Sequence, residues 1–382
     1  MQSQNVLAER KVNSHTSIMK SLTAIDLFCG AGGLSAGFAQ AGFVILAGND
    51  IDLVAGQTFQ LNHPDAKFFA GPVQDLAATF LLSATGLKAG ELTCLIGGPP
   101  CQGFSVYNHQ RGMHDARSHL FKDYLRLVKG LLPEWIVMEN VTGLLSIESG
   151  RVAETIVQSL NELGYRVEWQ VLKAELFGVP QERRRVIFIG TRSGKTIRFP
   201  SPTHGPGLDS FFTIQQAIGD LPELENGGKI DSAKSNIQNH TAPKLSAINL
   251  ARLKYIPQGG SWRDIPIHLL PEGMKRAKRS DHTKRYGRMR WEGLACTVLT
   301  KCDIHWGAFI HPDQSRAISV REAARLQSFP DDFIFAGSMT DQFIQVGNSV
   351  PPLLAQRIAE AILKSAENGG NYAMDLPQSL VA

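Results

Sequence analysis

The sequence predicts an α/β fold: a parallel, doubly wound sheet covered by helices on both faces, with a smaller, irregular unit inserted near the C-terminus. Three observations carry this. Short apolar runs alternate with helical stretches through the first half of the chain. From Pro200 the chain becomes rich in Pro, Gly and Ser and loses its long apolar runs. Beyond about Arg316 two helical patterns return, so the chain rejoins the first unit.

The first twenty residues, "MQSQNVLAERKVNSHTSIMK", are polar and lack the apolar core of a signal peptide, so they read as a disordered tail. "LTAIDLF" is a strand, and "LSAGFAQA" a helix closed by Gly42. "FVILAGND", "LTCLIGG" and "EWIVMEN" are further strands, with a helix from Leu120 to Leu132 between the last two. "RVAETIVQSLNELG" has apolar positions at helical spacing and ends at Gly164. "YRVEWQVL" and "RVIFIG" flank the break "FGVPQERR", which suits the antiparallel edge of a mixed sheet. "SVREAARLQSFP" is a helix opened by a Ser319–Glu322 capping box, and "PLLAQRIAEAILKS" is a final amphipathic helix.

With 382 residues, 43% hydrophobic and 19% charged, the composition is that of a globular protein, and the length allows a large core and suggests two domains, with three as the alternative. No apolar run is long enough to span a bilayer, so no membrane partner is expected and the chain reads as cytoplasmic. Its five cysteines, Cys29, Cys94, Cys101, Cys296 and Cys302, are odd in number and contain no C-x-x-C pair. That argues against a disulfide framework or a structural zinc, and no metal is expected. The net charge of +4 is compatible with an anionic partner.

Five motifs carry candidate chemistry. In "DLFCGAGGLSAGF" a strand runs into Gly30, Gly32 and Gly33 and then a helix, and about twenty residues on stands Asp50. Glycines allow a tight turn against a ligand, the helix N-terminus offers free N–H groups, and an acidic residue there can take a ribose diol. A tight turn without a ligand remains the alternative. "GGPPCQGFS" puts Cys101 at the C-terminal end of a strand, where crevices of open α/β sheets lie. Cys101 is either a buried spacer or a thiol held out as a nucleophile. Glu139 of "MEN" ends an apolar run at the same rim, where a carboxyl is hard to ionise and can serve as a proton donor; an N-cap or salt bridge is the alternative. In "QERRR", Arg183 and Arg185 alternate and would point the same way, toward an anion or a carbonyl oxygen, unless they form a solvated edge. "KRAKRSDHTKRYGRMRW" is dense in Lys and Arg, with Tyr286 and Trp291 interleaved, as a phosphate-binding surface would be.

Together these residues resemble the DNA cytosine-5 methyltransferase family. "DLFCGAGG", "GGPPCQGFS", "ENV", "QERRR", "SVREAARLQSFP" and "QVGNSVPP" occur in family order over almost the whole chain after the tail. The resemblance implies a Rossmann-like, S-adenosyl-L-methionine-binding domain of residues 21–198 and 317–370. It implies a target-recognition domain of residues 199–316, with double-stranded DNA in the cleft between them and tails at 1–20 and 371–382. The implied reaction transfers a methyl group to C5 of a flipped-out cytosine through a covalent adduct between Cys101 and C6. Glu139 would donate at N3, and Arg183 or, preferably, Arg185 would stabilise O2.

For the cofactor, the resemblance puts Phe28 on the adenine ring, Gly30 and Gly32 at the methionine end with Gly33 beside them, and Asp50 on the ribose. Ile51 stands where the family often has an aromatic. Val73 and Leu120 would help close the adenine pocket, and Asn348 and Ser349 would return to the cofactor. The family usually has Gly-Asp where this chain has Gly71-Pro72, and Pro72 supplies no side-chain acceptor for the adenine amino group; Asp75 lies nearby. Gln102, Ser105 and Tyr107, with a loop from Ser105 to Arg117 closing over the base, and Arg263, Arg285, Arg288 and Arg290 are the expected DNA contacts. The resemblance further implies a monomer in the bacterial cytoplasm or nucleoid, paired with a restriction endonuclease of bacterial or phage origin. Relatives acting on transfer RNA carry a shorter insert. A DNA-binding regulator with a dead site is opposed by the complete set Cys101, Glu139 and Arg185.

Overall fold

The structure, a computed structural model, describes residues 21–100, 119–235, 237–278 and 280–367. Seven strands form one sheet: β1 (Thr23–Leu27), β2 (Val44–Asp50), β3 (Lys67–Ala70), β4 (Cys94–Gly97), β5 (Trp135–Val141), β6 (Arg166–Lys173) and β7 (Arg184–Thr191). They lie in the order β3-β2-β1-β4-β5-β7-β6. Neighbours from β3 to β5 pair in parallel, whereas β7 is antiparallel to both β5 and β6. The β6–β7 pair thus forms an antiparallel edge to a mixed sheet, as the β-loop-β pattern suggests, with the reversed strand β7 inside and β6 outermost.

Alternation along the strands feeds two cores. Ala24, Ile96, Trp135, Val137, Ile187 and Ile189 face one side, with α1 (Gly33–Gln40) and α12 (Pro352–Glu367) packed on them through Phe38, Leu354 and Ile358. Ile25, Leu95, Ile136, Met138, Val186 and Phe188 face the other. There α3 (Ala78–Thr85), α4 (His119–Leu131) and α5 (Arg151–Glu162) cover them with Leu81, Leu127 and Ile156. A sheet buried on both faces explains its continuous apolar runs. The contact of α1 with α12 requires Gly37, because a Cβ there would stand 2.4 Å from Ala355 Cβ. Two elements lacked a clear sequence signal: α2 (Leu53–Asn62), capped by Asp52, and the four-residue β3.

Between residues 199 and 316 the described chain forms the short helices α6 (Ile214–Ile218), α7 (Ser232–Ser235), α8 (Ala247–Leu253) and α9 (Glu272–Lys275), with isolated bridges in place of a strand ladder. Leu253, Trp262, Met274, Tyr286, Ile304 and Ile310 make a small core of their own. The chain then enters α10 (Val320–Leu326) and α11 (Met339–Asn348), which leads to α12.

The expected capping box opens α10: Glu322 N–H donates to Ser319 Oγ at 3.1 Å, and Ser319 N–H donates to Glu322 Oε2 at 2.6 Å. Glu322 also takes both arms of the buried Arg316, each at 2.7 Å. His311 lies against this pair, its Nε2 3.7 Å from Glu322 Oε1. Its Nδ1 accepts the main-chain N–H groups of Asp313 and Gln314, at 3.2 and 3.0 Å, so the neutral imidazole is the form that fits. Burial is the main cause that pushes the His311 pKa down to about 4.

The unfolded chain then binds a proton below pH 6.5 that the folded chain refuses until about pH 4. Acidification from pH 7 to 5 should therefore cost about 2 kcal/mol of stability through this one side chain. Urea titrations at the two pH values test this. His311→Gln should flatten the pH dependence, and an undiminished slope in that variant would discharge His311 of the role.

Candidate active site

The C-terminal ends of β1, β2, β4 and β5 open on one cavity of about 580 Å³. The turn after β1 is bent by Phe28 at φ 59°, Gly30 at 52° and Gly32 at 89°. Asp50 holds that turn from the end of β2: Oδ2 accepts the Gly30 N–H at 2.7 Å and Oδ1 the Asp52 N–H at 2.9 Å. Burial pushes the Asp50 carboxyl above its ordinary pKa, against the pull of those N–H donors. Next to it, Asn49 Nδ2 donates to the carbonyls of Phe69 and Gly71 at 2.8 and 3.0 Å, and so positions the Gly71-Pro72 corner.

Of the residues singled out for a nucleoside cofactor, Phe28, Gly30, Gly33, Asp50, Ile51, Val73, Leu120, Asn348 and Ser349 all line this cavity. Gly32 does not; it faces the second layer, where a Cβ would stand 2.9 Å from His63 Nε2. Pro72 lines the wall, and so does Gln74, while Asp75 is not among the lining residues. Sequence reasoning passed over Asp26, which also borders the cavity. It takes a hydrogen bond from Ser35 Oγ at 2.7 Å, and burial raises its pKa to about 7. Its signal was a lone carboxylate inside the apolar strand "LTAIDLF".

Glu139 borders the same cavity, at the rim of β5. Strand parity puts it on the side of Trp135 and Val137, and puts Arg185 on the side of Ile187. Arg185 pairs across the ladder with Val141, two residues from Glu139, so the side chains meet diagonally. Arg185 Nε stands 2.6 Å from Glu139 Oε1, with both side chains 13% exposed. This is an ion pair by distance; its angle is not that of a hydrogen bond, since Nε satisfies no acceptor. Of the two readings the sequence offers for Glu139, the structure shows the salt bridge. Arg185 Nη1 donates to the Arg184 carbonyl at 2.8 Å, which leaves Nη2 without a protein acceptor among the described residues.

The loop leaving β4 comes right up to this pair. A Cβ on Gly98 would stand 3.1 Å from Glu139 Oε2, and Asn140 Nδ2 donates to the Pro99 carbonyl at 3.0 Å. Cys101 follows two residues after Pro99 and lies outside the described residues, as do Gln102, Ser105 and Tyr107. Cys29 and Cys94, by contrast, are buried thiols, with pKa values pushed well up by burial.

Two arginines need correction. Arg183 does not reach the site as its alternation with Arg185 suggested: Nη1 donates to Val298 O at 3.2 Å, and Nη2 to Gly347 O and Ser349 O at 2.8 and 2.9 Å. Arg288, expected on DNA, is buried and donates to the carbonyls of Leu253, Ile256, His311 and Gln314. Charge is visible in a sequence, but the carbonyls that absorb it are not. Tyr286 in the basic stripe is likewise fully buried, whereas Lys275, Arg276, Lys278, Lys284 and Arg290 are exposed. Arg263 and Arg285 are half-buried.

The comparisons with known proteins agree on one family. The sequence model of the family described as C-5 cytosine-specific DNA methylase matches residues 22–364. Type II methyltransferase M1.HphI of Haemophilus parahaemolyticus is 40% identical over 350 residues, covering 91% of this chain and 88% of that protein. Type II methyltransferase M.AgeI of Thalassovita gelatinovora is 32% identical, covering 89% of this chain and 99% of that one. A prophage-encoded protein of E. coli, assigned as a DNA modification methyltransferase, superposes with a TM-score of 0.72 at 26% identity, over 91% of this chain and all of its own.

Replacing Asp50 by Ala removes the acceptor of both turn N–H groups. Calorimetry with S-adenosylmethionine should show a loss of affinity of about ten-fold or more. Unchanged affinity in a normally folded variant would exclude Asp50 from the cofactor site.

Proposed function

The chain belongs to the C-5 cytosine-specific DNA methylase family, and on that premise we propose how its own residues carry methyl transfer from S-adenosylmethionine to C5 of cytosine in DNA. The observation that carries the reading is the Glu139–Arg185 pair, set beside the loop that leads into Cys101 and bordering the large cavity.

The cavity suits S-adenosylmethionine. Its volume of about 580 Å³ is that of a small-molecule site. Asp50 offers a carboxylate for the ribose hydroxyls, and Phe28, Ile51, Val73 and Leu120 offer apolar walls for the adenine. Gln74 is the polar side chain beside Pro72. When bound, the cofactor supplies an electrophilic methyl group.

C5 of cytosine is a poor nucleophile until a thiolate adds at C6. Cys101 is the proposed nucleophile. As the S–C6 bond forms, the C5=C6 electron pair becomes available at C5 and negative charge moves toward N3 and O2. Glu139, ion-paired with Arg185 in the free protein, takes up a proton from solvent and passes it to N3, and Arg185 turns its unspent Nη2 to O2. Once C5 carries the methyl group, with the bonding pair left on the sulfonium sulfur, a water takes the C5 proton, the freed C–H pair restores the C5=C6 bond, the S–C6 bond breaks with its pair on the Cys101 thiolate, and the N3 proton returns to Glu139. This geometry cannot be reached inside a duplex, so the base is flipped out. The loop from Ser105 to Arg117 is proposed to close over it, with Gln102, Ser105 and Tyr107 among the DNA contacts. Arg183 is proposed as a support for Ser349 and β7, with no contact to the base.

Residues 21–198 and 317–370 are proposed as the catalytic domain and 199–316 as the target-recognition domain, with Arg263, Arg285 and Arg290 among its DNA contacts. Type II methyltransferase relatives support a role in a restriction-modification pair with an endonuclease. We propose a monomer acting in the cytoplasm; no helix among the described residues is long and apolar enough to cross a membrane.

In vitro methylation of mixed-sequence duplex DNA, mapped by bisulfite, tests the activity and yields the target site. Absence of methylated cytosines would overturn the reading. Duplexes with 5-fluorocytosine at that site should trap wild-type protein covalently and fail to trap Cys101→Ala, although the variant still binds DNA. Glu139→Gln should slow transfer by about a hundred-fold or more, with cofactor affinity retained. A near-normal rate would assign the N3 proton to another group.

A further inference from the structure

The arginines of the inserted segment divide by what their guanidinium groups touch. Arg288 spends its donors on buried carbonyls, and Arg316 spends its own largely on Glu322. Arg285 spends none: among the described residues its side chain makes no hydrogen bond or ion pair, and its Cζ lies 4.8 Å over the centroid of the Trp306 ring. Its main chain is tied on both sides. The N–H donates to His282 O at 2.9 Å, and the carbonyl accepts from Trp262 N–H at 3.0 Å.

The backbone is bent to present this residue. His282 and Tyr286 both sit at φ 50°, a left-handed conformation uncommon for non-glycine residues. Tyr286 is fully buried; its N–H donates to Ile304 O at 2.6 Å and its hydroxyl accepts from Arg252 Nη1 at 3.1 Å. The chain thus turns about an anchored tyrosine and directs Arg285 outward. Trp306 is 61% exposed, a costly place for so large an apolar ring. Next to this pair, Lys284 Nζ holds Glu182 Oε2 at 3.0 Å, and Glu182 O accepts from Thr297 Oγ1 at 2.7 Å. Glu182 lies three residues before Arg185. The pair therefore stands beside the start of β7, on the approach to the proposed active site.

We propose that Arg285 is a specificity-determining residue that reads a guanine in the major groove of the target site, and that Trp306 acts through it as a positioning residue. This rests on the duplex-DNA methylation proposed above. Guanine presents O6 and N7 as adjacent acceptors that match the guanidinium fork. Contact with the Trp306 ring restrains the guanidinium before DNA arrives, which lowers the ordering cost of the contact. A phosphate can also take the fork through two oxygens, but it carries no sequence information, so discrimination at a single base position separates the two contacts.

The test uses full-length wild type, Arg285→Lys, Trp306→Ala and Trp306→Phe. Each is assayed on the bisulfite-mapped site and on all its single-base variants. Arg285→Lys keeps the charge but should lose roughly ten- to a hundred-fold of kcat/KM discrimination at one guanine position. Trp306→Ala should lose discrimination at that same position, and Trp306→Phe should keep most of it. Ratios that stay at wild-type values in Arg285→Lys, or a loss spread evenly over all positions, would make Arg285 a phosphate contact and overturn the proposal. If Trp306→Ala fails to fold, Arg285→Lys and Trp306→Phe decide the matter. A wild type that methylates no duplex DNA would overturn the underlying activity; a wild type that does, beside variants with unchanged ratios, overturns only the role of Arg285 and Trp306.

Discussion

β7 runs antiparallel between β5 and β6, and its first residues therefore reach the rim where β1, β4 and β5 end. A parallel β7 would begin at the opposite edge of the sheet, and Arg185 would lie a full strand length from Glu139. The reversal, with strand parity, puts a guanidinium and a carboxyl on one face within 2.6 Å. It also lets the break before β7 touch the segments that follow α10 and α11, because that break now sits on the cavity side. The closeness of Glu139 and Arg185 thus depends on a topological choice made some forty residues after Glu139, where a short β-loop-β connection replaces a helical crossover.

The segment of residues 199–316 and the turn into α10 solve a different problem. Without a strand ladder their buried carbonyls need donors from elsewhere, and buried carbonyls left unpaired are costly. Arginine supplies several donors from one side chain. Arg288 joins two separate stretches of chain, at Leu253 and Ile256 and at His311 and Gln314, through their carbonyls. Arg321 does the same for Gln238, Pro330 and Phe333. Arg316 joins Leu224 and Ala317 to Glu322. Much of the cationic count in this part of the chain is therefore internal scaffolding, and a residue such as Arg285 stands out by its uncommitted donors.

This division explains which features were legible in the sequence. Period-two and period-3.6 apolar patterns report burial directly, so β1, β2, β4, β5, α1, α5 and α12 could be read from spacing alone. The glycine turn and Asp50 were legible because backbone geometry there tolerates few residue types. The Ser319–Glu322 box was legible because its two partners are three residues apart. The partners of Arg183 and Arg288 were not, since they are carbonyls from distant segments and carry no side-chain signature. Nor could the sequence distinguish Gln74 from Asp75 at the cavity, because a short helical turn from Val73 to Asp75 decides which of them borders it.

Arg183 shows why such hidden partners matter to the site. With Gln181 it binds the main chain at Val298, Leu326, Gly347 and Ser349. Gln327 extends the network from Gln181 to the Val346 carbonyl. Burial pushes the Arg183 pKa well below its ordinary value, yet guanidinium stays charged at neutral pH, so the carbonyl dipoles around it are what stabilise that charge. The consequence is mechanical. Ser349, on the wall of the cavity, and Arg185, on the rim beside Glu139, are joined through two residues of backbone and one buried side chain. A shift of the cavity wall that displaced the Ser349 carbonyl would expose an unpaired charge, so the wall and the Glu139–Arg185 pair are held in register.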